Sequence, residues 1–252
     1  MHYVGIDIGS TATKVSVFKE DKLEHNYNLR TGWSSIEVSN EVLEKLNSEG
    51  IERKNMKVVA TGYGRISVPY ADKQITEITC HGKGVDYLLG RDATIIDIGG
   101  QDTKIITLKN GRVIDFTMND KCAAGTGKFM ELMANTLGVS IDELCNMALL
   151  GEDINISSMC TVFAESEVIS LIGKGTDRKS IARGIVNSIT GRVSSMLFKH
   201  GCSENIYLTG GLCEVDNFKK LLSQKIEKDI KTNPLARYAG SIGAALIAKS
   251  LD

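Results

Sequence analysis

The sequence predicts an α/β protein built from two related lobes, and three observations support this. The segment 6–14 (IDIGSTATK) recurs at 96–104 (IDIGGQDTK), with the same residue at six of the nine positions. In both copies an apolar strand enters a Gly-containing turn and a second β-rich run follows, which is the pattern of a β-hairpin. Segments with helical spacing alternate with these strands, as in α/β domains.

The remaining elements follow from local patterns. Asn-Gly at 110–111 lies between alternating segments and predicts a tight hairpin, so the second lobe opens with a three-strand meander. The small, apolar stretch near the C-terminus predicts a closely packed helix. Apolar residues at three- and four-residue spacing predict helices at 36–49, 76–90, 123–137, 140–149, 164–174, 179–200 and 215–228.

The length of the chain favours two lobes over one core. A single hydrophobic core stops growing near 250 to 300 residues, and this chain has 252. Only two prolines occur and no flexible tract separates the halves, so we expect a hinge made of ordered elements. We place the first lobe at 1–92 and the second at 93–237, with a C-terminal helix at about 238–252 that packs back on the first lobe.

Composition excludes several classes of partner. Thirty basic and thirty-one acidic side chains give a net charge of −1, which provides no electrostatic case for binding nucleic acid or an anionic membrane. The N-terminal residues lack the pattern of a secretion signal, and no apolar run is long enough to span a bilayer. We therefore expect a cytoplasmic protein that binds neither a membrane nor nucleic acid.

The two repeated turns predict a nucleotide site. Each places a carboxylate beside backbone N–H groups that can face a phosphate. Asp7 and Asp97 are expected to hold a hydrated Mg²⁺, because this ion combines water, one or two carboxylates and phosphate oxygens. Lys14 and Lys104 end the two turns and are candidate phosphate cations. Gln101 is the candidate for orienting the attacking water.

A third Gly-rich turn follows a later strand at 209–211 (TGG), where α/β folds bind ligands. Two common nucleotide motifs are excluded. The string at 125–128 (GTGK) is followed by Phe129 and lacks the earlier Gly of a P-loop, and no G-x-G-x-x-G of a Rossmann fold occurs. ATP bound by the three turns is therefore the expected nucleotide.

The turns at 7–11, 97–102 and 209–211 resemble, in that order, the phosphate 1, phosphate 2 and adenosine motifs of the actin/hexokinase/Hsp70 superfamily. The resemblance implies two ribonuclease-H-like lobes with a nucleotide cleft between them. The residues it implies for nucleotide binding are Gly9, Ser10, Thr11, Lys14, Gly99, Gly100, Asp102, Gly210, Gly211 and Pro234. Asp7, Asp97 and Gln101 are the expected catalytic residues.

Six cysteines without a C-x-x-C spacing exclude a zinc ribbon or a ferredoxin loop within one chain. Cys122 and Cys160 each stand just ahead of a helical pattern, where the helix dipole stabilises a thiolate. Two ligands are too few for a cluster that takes four, so a two-fold dimer would supply the others. We interpret Cys80, Cys145 and Cys202 as packing residues. Cys213 comes directly after the third turn and has no predicted chemical role.

A second resemblance is more specific. The strings that carry it are NDKCAAGTGKF (119–129), CTVFAESEVIS (160–170), ATGYGR (60–65) and EITCHGKG (77–84). They closely resemble the activators of (R)-2-hydroxyacyl-CoA dehydratases, and the resemblance runs from residue 3 to about 248. It implies an ATPase homodimer in which Cys122 and Cys160 of both subunits hold one [4Fe–4S] cluster.

The same resemblance implies the partners. A reduced ferredoxin or flavodoxin would donate an electron, and ATP binding and hydrolysis would drive it to an iron–sulfur dehydratase or reductase. Two alternatives stay open: a small-molecule kinase of the same superfamily, and an ATP-dependent switch without redox chemistry. The pair of cysteines favours the reductase, because a kinase has no use for it. Trp33 is either a core anchor or an exposed partner contact.

Overall fold

The computed structural model describes residues 1–157 and 160–251. Internal packing divides the chain into two units. The first contains residues 1–92, 108–114 and 233–252, and the second contains 93–107 and 115–232. The predicted C-terminal helix ends at Asp252, which lies outside the described residues, as do Ser158 and Met159 directly before Cys160.

The first unit is organised around a five-stranded sheet with strand order β3-β2-β1-β4-β5. Up to residue 92 its elements are β1 (His2–Ile8), β2 (Ala12–Lys19), β3 (Lys22–Arg30), α1 (Ser35–Ser48), β4 (Met56–Thr61), β5 (Lys73–Gln74) and α2 (Glu77–Leu89). Strand β1 pairs antiparallel with β2 and parallel with β4. Both neighbours of β1 therefore fix the position of the turn that follows it.

The second sheet repeats the first, with strand order β8-β7-β6-β9-β10. The elements are β6 (Ala93–Ile98), β7 (Thr103–Lys109), β8 (Arg112–Asn119), α3 (Gly127–Thr136), α4 (Ile141–Ala148), α5 (Thr161–Gly173), α6 (Arg178–His200), β9 (Ile206–Gly210), α7 (Asp216–Ile226) and β10 (Ile230–Lys231). The duplicated sequence thus folds into the same strand order twice, and the predicted order of the meander is confirmed.

The last helix, α8 (Ala239–Lys249), packs against β1, β4 and α2 of the first unit. Its backbone lies unusually close to theirs. A Cβ atom at Gly5 would lie 1.9 Å from the carbonyl oxygen of Ser241, and one at Gly243 would lie 1.7 Å from that of Cys80. Only glycine allows this approach, which explains the small residues in the C-terminal stretch.

The core of the first unit follows from ordinary patterning. Alternate residues of β1 and β2 are buried against α1, whose inward positions include Val38, Val42 and Leu46. Helix α1 begins where the Ser34 hydroxyl accepts a hydrogen bond from the backbone N–H of Glu37. The sheet therefore has a rigid apolar backing directly behind the turns at its strand ends.

Three details differ from or add to the sequence prediction. Helix α3 begins at Gly127, so the predicted start at 123 is wrong. Strand β3 was not predicted, and it is a largely polar edge strand. No helix within the described parts of the chain has the length and apolar character needed to cross a bilayer.

Candidate nucleotide and cysteine site

The first repeated turn follows β1 and is closed by its own backbone. Gly9 donates its N–H to the carbonyl of Ala12 over 3.1 Å. Asp7 is buried near the end of the strand, and the Lys14 Nζ lies 3.8 Å from its Oδ2. Ser10 and Thr11, at the tip of the turn, are at least partly accessible. This geometry leaves a carboxylate and an ammonium group beside an accessible backbone turn.

Two neighbouring segments fix the position of this turn. Thr31 donates its N–H to the Thr11 carbonyl over 3.1 Å and its hydroxyl to the Gly9 carbonyl over 2.8 Å. On the other side, Gly64 donates its N–H to the Ile8 carbonyl over 3.0 Å. Gly240 at the start of α8 lies against Asp7, since a Cβ there would be 2.6 Å from Oδ2. The turn is thus held by elements far apart in sequence.

The second repeated turn follows β6 and has the same backbone closure but a buried ion-pair network. Gly99 donates its N–H to the Asp102 carbonyl over 2.9 Å. The Lys104 Nζ lies 2.8 Å from Asp102 Oδ2 and 3.5 Å from Asp97 Oδ2, and all three side chains are buried. Thr209 donates its hydroxyl to Asp97 Oδ1 over 2.9 Å. The network fixes the Asp97 carboxylate on both sides.

The third turn lies beside the second. Gly210 pairs with Ile98 in the parallel β6–β9 ladder and has a φ of +81°. A Cβ at Gly210 would lie 2.2 Å from the Ile98 carbonyl, so the approach requires glycine. Gly211 is exposed and begins a short 3₁₀ turn at Gly211–Glu214. The second and third predicted turns are therefore brought together at one edge of this sheet.

The second turn is also bonded to α3. Gly127 donates its N–H to the Gly99 carbonyl, and Lys128 donates its N–H to the Gly100 carbonyl, both over 2.9 Å. The first N–H groups of a helix have no partner within the helix, so they are available for such contacts. Any displacement of the turn must therefore move the start of α3.

The other predicted nucleotide residues have different settings. Gln101 is exposed at the tip of the second turn, where its amide can reach solvent or a ligand. Pro234 is exposed before the 3₁₀ turn at Ala236–Tyr238. Lys104 is buried and paired with two carboxylates, so this geometry gives no support to the prediction that it contacts a phosphate. Lys14 is still a candidate for contacting a phosphate.

Cys122 lies in the loop that leads to α3. Asn119 donates its Nδ2–H to the carbonyls of Cys122 and Ala124, over 2.9 and 3.3 Å. Thr103, within β7, donates its hydroxyl to the Gly125 carbonyl over 2.6 Å. Cys122 itself is half-buried and precedes the start of α3 by more than a helical turn. The expected placement of this thiol at a helix N-terminus is therefore wrong, because the dipole effect fades within one turn.

Cys160 occupies the predicted kind of position. It is the N-cap residue of α5, it is exposed, and no side-chain bond caps the helix there. A thiolate at this place is stabilised by the positive end of the helix dipole. The neighbouring Thr161 hydroxyl is buried and has no hydrogen-bond partner among the described residues. It is a donor that a sulfur ligand could satisfy.

The remaining cysteines differ in burial. Cys80, Cys145 and Cys213 are buried, and Cys202 is half-buried. Burial raises the pKa of both the Cys80 and the Cys145 thiol to about 12. Such thiols stay protonated near neutral pH and are poor metal ligands. Of the two thiols proposed for a cluster, Cys160 is exposed and Cys122 is half-buried, as Cys202 is.

Sequence reasoning missed two features of the site. Thr61 is the last residue of β4 and Gly62 comes directly after it, while Thr209 and Gly210 are the last two residues of β9. Gly62, like Gly210, has a positive φ, +82°. The shared Thr-Gly pair at two strand ends was the available signal. The pairing of Lys104 with Asp102 was not predicted either, because both residues were expected to contact the nucleotide.

The fold and these turns define a class of protein, the actin-like ATPases with two lobes. A solved glucokinase of the ROK family from Streptomyces griseus has this fold, with a TM-score of 0.59 over 99% of this chain and 100% of that chain at 13% identity. This likeness confirms the predicted fold.

The chain belongs to the BadF/BadG/BcrA/BcrD ATPase family, whose model matches residues 4–248. It is 40% identical to the (R)-2-hydroxyglutaryl-CoA dehydratase activating ATPase of Acidaminococcus fermentans, over 98% of this chain and 97% of the relative. It is also 40% identical to the 2-hydroxyisocaproyl-CoA dehydratase activator of Clostridioides difficile, over 98% and 95%. The predicted family resemblance is confirmed.

Comparison with a solved structure agrees with the sequence comparisons. The activator of the 2-hydroxyisocaproyl-CoA dehydratase from Clostridium difficile, solved with bound ADPNP, superposes with a TM-score of 0.90 at 39% identity. The match covers 100% of this chain and 95% of that chain.

Proposed function

We propose that this protein is an ATP-dependent one-electron reductase that activates a partner iron–sulfur enzyme, such as a 2-hydroxyacyl-CoA dehydratase, in the cytoplasm. One observation carries the proposal: the loop with Cys122 runs into α3, whose first N–H groups bond to the candidate phosphate turn at Gly99 and Gly100. A nucleotide turn and a candidate redox ligand are thus mechanically linked. The names of the two 40% identical relatives, both dehydratase activators, agree with it.

On the nucleotide side, we assign ATP to the three turns. Backbone N–H groups of the first two turns bind phosphate oxygens, and Lys14 adds a cation. Asp7 and Asp97 hold Mg²⁺ through its waters, as this ion requires. Gln101 orients the attacking water, a role suited to an exposed amide at the tip of the turn. Gly210 and Gly211 border the adenosine.

On the redox side, Cys122 and Cys160 of two copies would hold one [4Fe–4S] cluster. The donor set fits, because four thiolates are the usual ligands of such a cluster and both thiols lie outside the buried core. The Thr161 hydroxyl offers a hydrogen bond to sulfur beside Cys160. When bound, the cluster would store a single electron. The first N–H groups of α5 face the same side as Cys160 and favour negative charge there.

The coupling follows from the hydrogen bonds of the second turn. ATP can shift the protein between two arrangements only if it binds one of them better. Contacts to the γ-phosphate at Gly99 and Gly100 provide such a difference, and their carbonyls hold Gly127 and Lys128. Movement of these residues displaces the loop of Cys122, which Thr103 and Asn119 otherwise hold. The electron would come from ferredoxin or flavodoxin and leave to the partner enzyme.

The test is the iron and acid-labile sulfide content of anaerobically purified protein, with the absorption and EPR spectra recorded with ADP and with ADPNP. About four irons per two chains are expected, in line with a shared cubane. Cys122→Ser and Cys160→Ser should lose the iron, whereas Cys202→Ser, a half-buried control, should keep it. The spectrum should change with ADPNP.

Protein that hydrolyses ATP yet takes up no iron on reconstitution would overturn the redox assignment. That result would favour the alternative that the protein is a small-molecule kinase. Iron retained in both single variants would show that the ligands lie elsewhere. Size-exclusion chromatography with light scattering should show a dimer that Cys160→Ser weakens or dissociates.

A further inference from the structure

In the first repeated turn, a glycine carbonyl and a threonine hydroxyl hold the segment that follows β3. The Gly9 carbonyl accepts the Thr31 hydroxyl over 2.8 Å, and the Thr13 hydroxyl oxygen lies 2.9 Å from that of Thr31. Both threonines are buried. The held segment, 31–34, leads into α1 and contains no cysteine. These contacts therefore fix the first turn without touching a candidate redox ligand.

In the second turn, the residues at the same two repeat positions, Gly99 and Thr103, hold the loop of Cys122 instead. The Gly99 carbonyl accepts the N–H of Gly127 over 2.9 Å. Thr103 is buried and donates its hydroxyl to the Gly125 carbonyl over 2.6 Å. Gly125 comes three residues after Cys122, and Gly127 comes five residues after it. Of these two contacts, the bond of Thr103 is thus the one nearer to the cysteine.

Side-chain donors hold all four carbonyl groups of the loop at 122–125. Asn119, the last residue of β8, donates its Nδ2–H groups to the carbonyls of Cys122 and Ala124 over 2.9 and 3.3 Å. The Thr126 hydroxyl donates to the carbonyl at position 123 over 2.6 Å, and Thr103 donates to the one at position 125. A loop whose polar groups are satisfied in this way is rigid, so it moves as one body.

Of these three donors, Thr103 is the one attached to the phosphate turn. Asn119 lies at the start of the loop and Thr126 lies within it. Thr103 is the first residue of β7 and comes directly after the turn at 97–102. A shift of the turn that moves Thr103 therefore also moves the loop, through a bond three residues from the cysteine.

We infer that Thr103 is a positioning residue for Cys122, and that its hydroxyl transmits a nucleotide-dependent shift of the second phosphate turn to the cysteine loop. The inference rests on the proposed function, which assigns the γ-phosphate of ATP to this turn. It adds a side-chain contact to the backbone contacts of Gly99 and Gly100. The equivalent hydroxyl of Thr13 bonds to a segment without a cysteine, so it has no such role.

The experiment follows the Cys122 thiol in the full chain without iron, so its result does not depend on a cluster. The rate of alkylation by iodoacetamide is measured at each cysteine by peptide mass spectrometry, with MgADP and with Mg-ADPNP. We expect the rate at Cys122 to differ at least about threefold between the two nucleotides in the wild type, and less than about 1.3-fold in Thr103→Val. Thr103→Ser keeps the hydroxyl and should restore the difference.

Two controls separate positioning from a general loss of structure. Thr13→Val removes the equivalent buried hydroxyl of the first turn and should keep the wild-type difference at Cys122. Cys202 is half-buried like Cys122 but lies outside the loop, so its rate should be the same in Thr103→Val and the wild type. All rates are compared at saturation with each nucleotide, which is measured by isothermal titration calorimetry. Faster alkylation of both cysteines in Thr103→Val would mean general loosening and would overturn the positioning role.

The outcomes separate the inference from the proposed function. If the wild type shows the nucleotide difference and Thr103→Val keeps it, the inference is wrong and the proposed function is unaffected. Equal rates at Cys122 in the wild type with both nucleotides would overturn the inference together with the proposed coupling. If Thr103→Val loses the difference and Thr103→Ser restores it, but reconstituted wild type binds no iron, Thr103 does position Cys122 and the proposed redox function fails.

Discussion

The two repeated turns have the same sequence skeleton but different electrostatic settings. In the first, Lys14 is 19% exposed and lies 3.8 Å from a single carboxylate, that of Asp7. In the second, Lys104 is 2% exposed and lies within 3.5 Å of two carboxylates, those of Asp97 and Asp102. One lysine is thus free to reach a ligand, and the other is built into the protein.

A single position accounts for the difference. Ala12 and Asp102 are equivalent in the two copies, and each supplies the carbonyl that closes its turn. Only Asp102 adds a carboxylate, and that carboxylate holds Lys104 at 2.8 Å. Both copies therefore keep the same backbone geometry of the turn, while one side chain distinguishes a buried, doubly paired lysine from a partly exposed one.

The largest expected effect is that of Lys104→Met on stability. The change leaves two carboxylates buried without their cation, which costs about 3–5 kcal/mol in comparable cases. Urea unfolding should show this loss in the free energy of unfolding. Lys109→Met, an exposed lysine at the end of the same strand, is the control and should change little. A Lys104 variant as stable as the control would show that the network is not stabilising.

Lys14→Met should affect catalysis and leave the fold intact. Removal of one positioned charge from a transition state costs about 10²- to 10³-fold in turnover. We expect a loss of ATP hydrolysis of that order, with the free energy of unfolding within about 1 kcal/mol of wild type, since the ion pair to Asp7 is partly solvated. Lys19→Met at the exposed end of β2 serves as the control. Unchanged hydrolysis would remove Lys14 from the site.

Exchange of the distinguishing residue should convert one turn into the other. In Ala12→Asp the new carboxylate would hold Lys14 as Asp102 holds Lys104. The Kd for ATP should then rise about tenfold, equivalent to about 1.4 kcal/mol. Isothermal titration calorimetry measures this change, and Ala12→Asn, which adds a side chain of the same size without the charge, is the control. Equal effects of both variants would contradict the prediction that a carboxylate at position 12 weakens ATP binding by holding Lys14.

A loss of stability is also expected from Thr209→Val. It removes the hydrogen bond to Asp97 Oδ1, and bonds to charged groups contribute about 1.5–3 kcal/mol. Thr61→Val is the matched change, because Thr61 ends β4 directly before Gly62 and no hydrogen bond from its hydroxyl to Asp7 is present among the described residues. Thermal unfolding should show a lower Tm for Thr209→Val than for Thr61→Val. The reverse order would mean that Asp97 is held by Lys104 alone.

Much of the fold could be predicted because the signals are local. The Asn-Gly turn predicted the tip of the β7–β8 hairpin, and both residues have positive φ there, +49° and +70°. The helices could be predicted from apolar spacing. Strand β3 could not, because it is an edge strand with few buried residues and pairing with β2 supplies its stability.

The parts of the candidate site that could be predicted are the turns with a local sequence motif. The parts shaped by hydrogen bonds between residues far apart in sequence could not be predicted. The turns of Asp7 and Asp97 were found from their repeated strings. The start of α3 was placed too early, because Gly125, with a φ of +93°, ends the apparent helical pattern and hydrogen bonds from Thr103 and Asn119 shape the loop instead. No local pattern indicates such bonds.

The position of α8 has a consequence for how the chain is made. The Ser16 hydroxyl in β2 bonds to that of Ser241 in α8 over 2.7 Å, although 225 residues separate them. At roughly 5–20 residues per second, a ribosome takes on the order of 10 to 50 seconds to make the chain. For most of that time β1 and β2 lack the helix that covers them. The N-terminal unit is begun first but lacks α8 until residues 239–249 have been made, so nascent chains expose an apolar sheet until then.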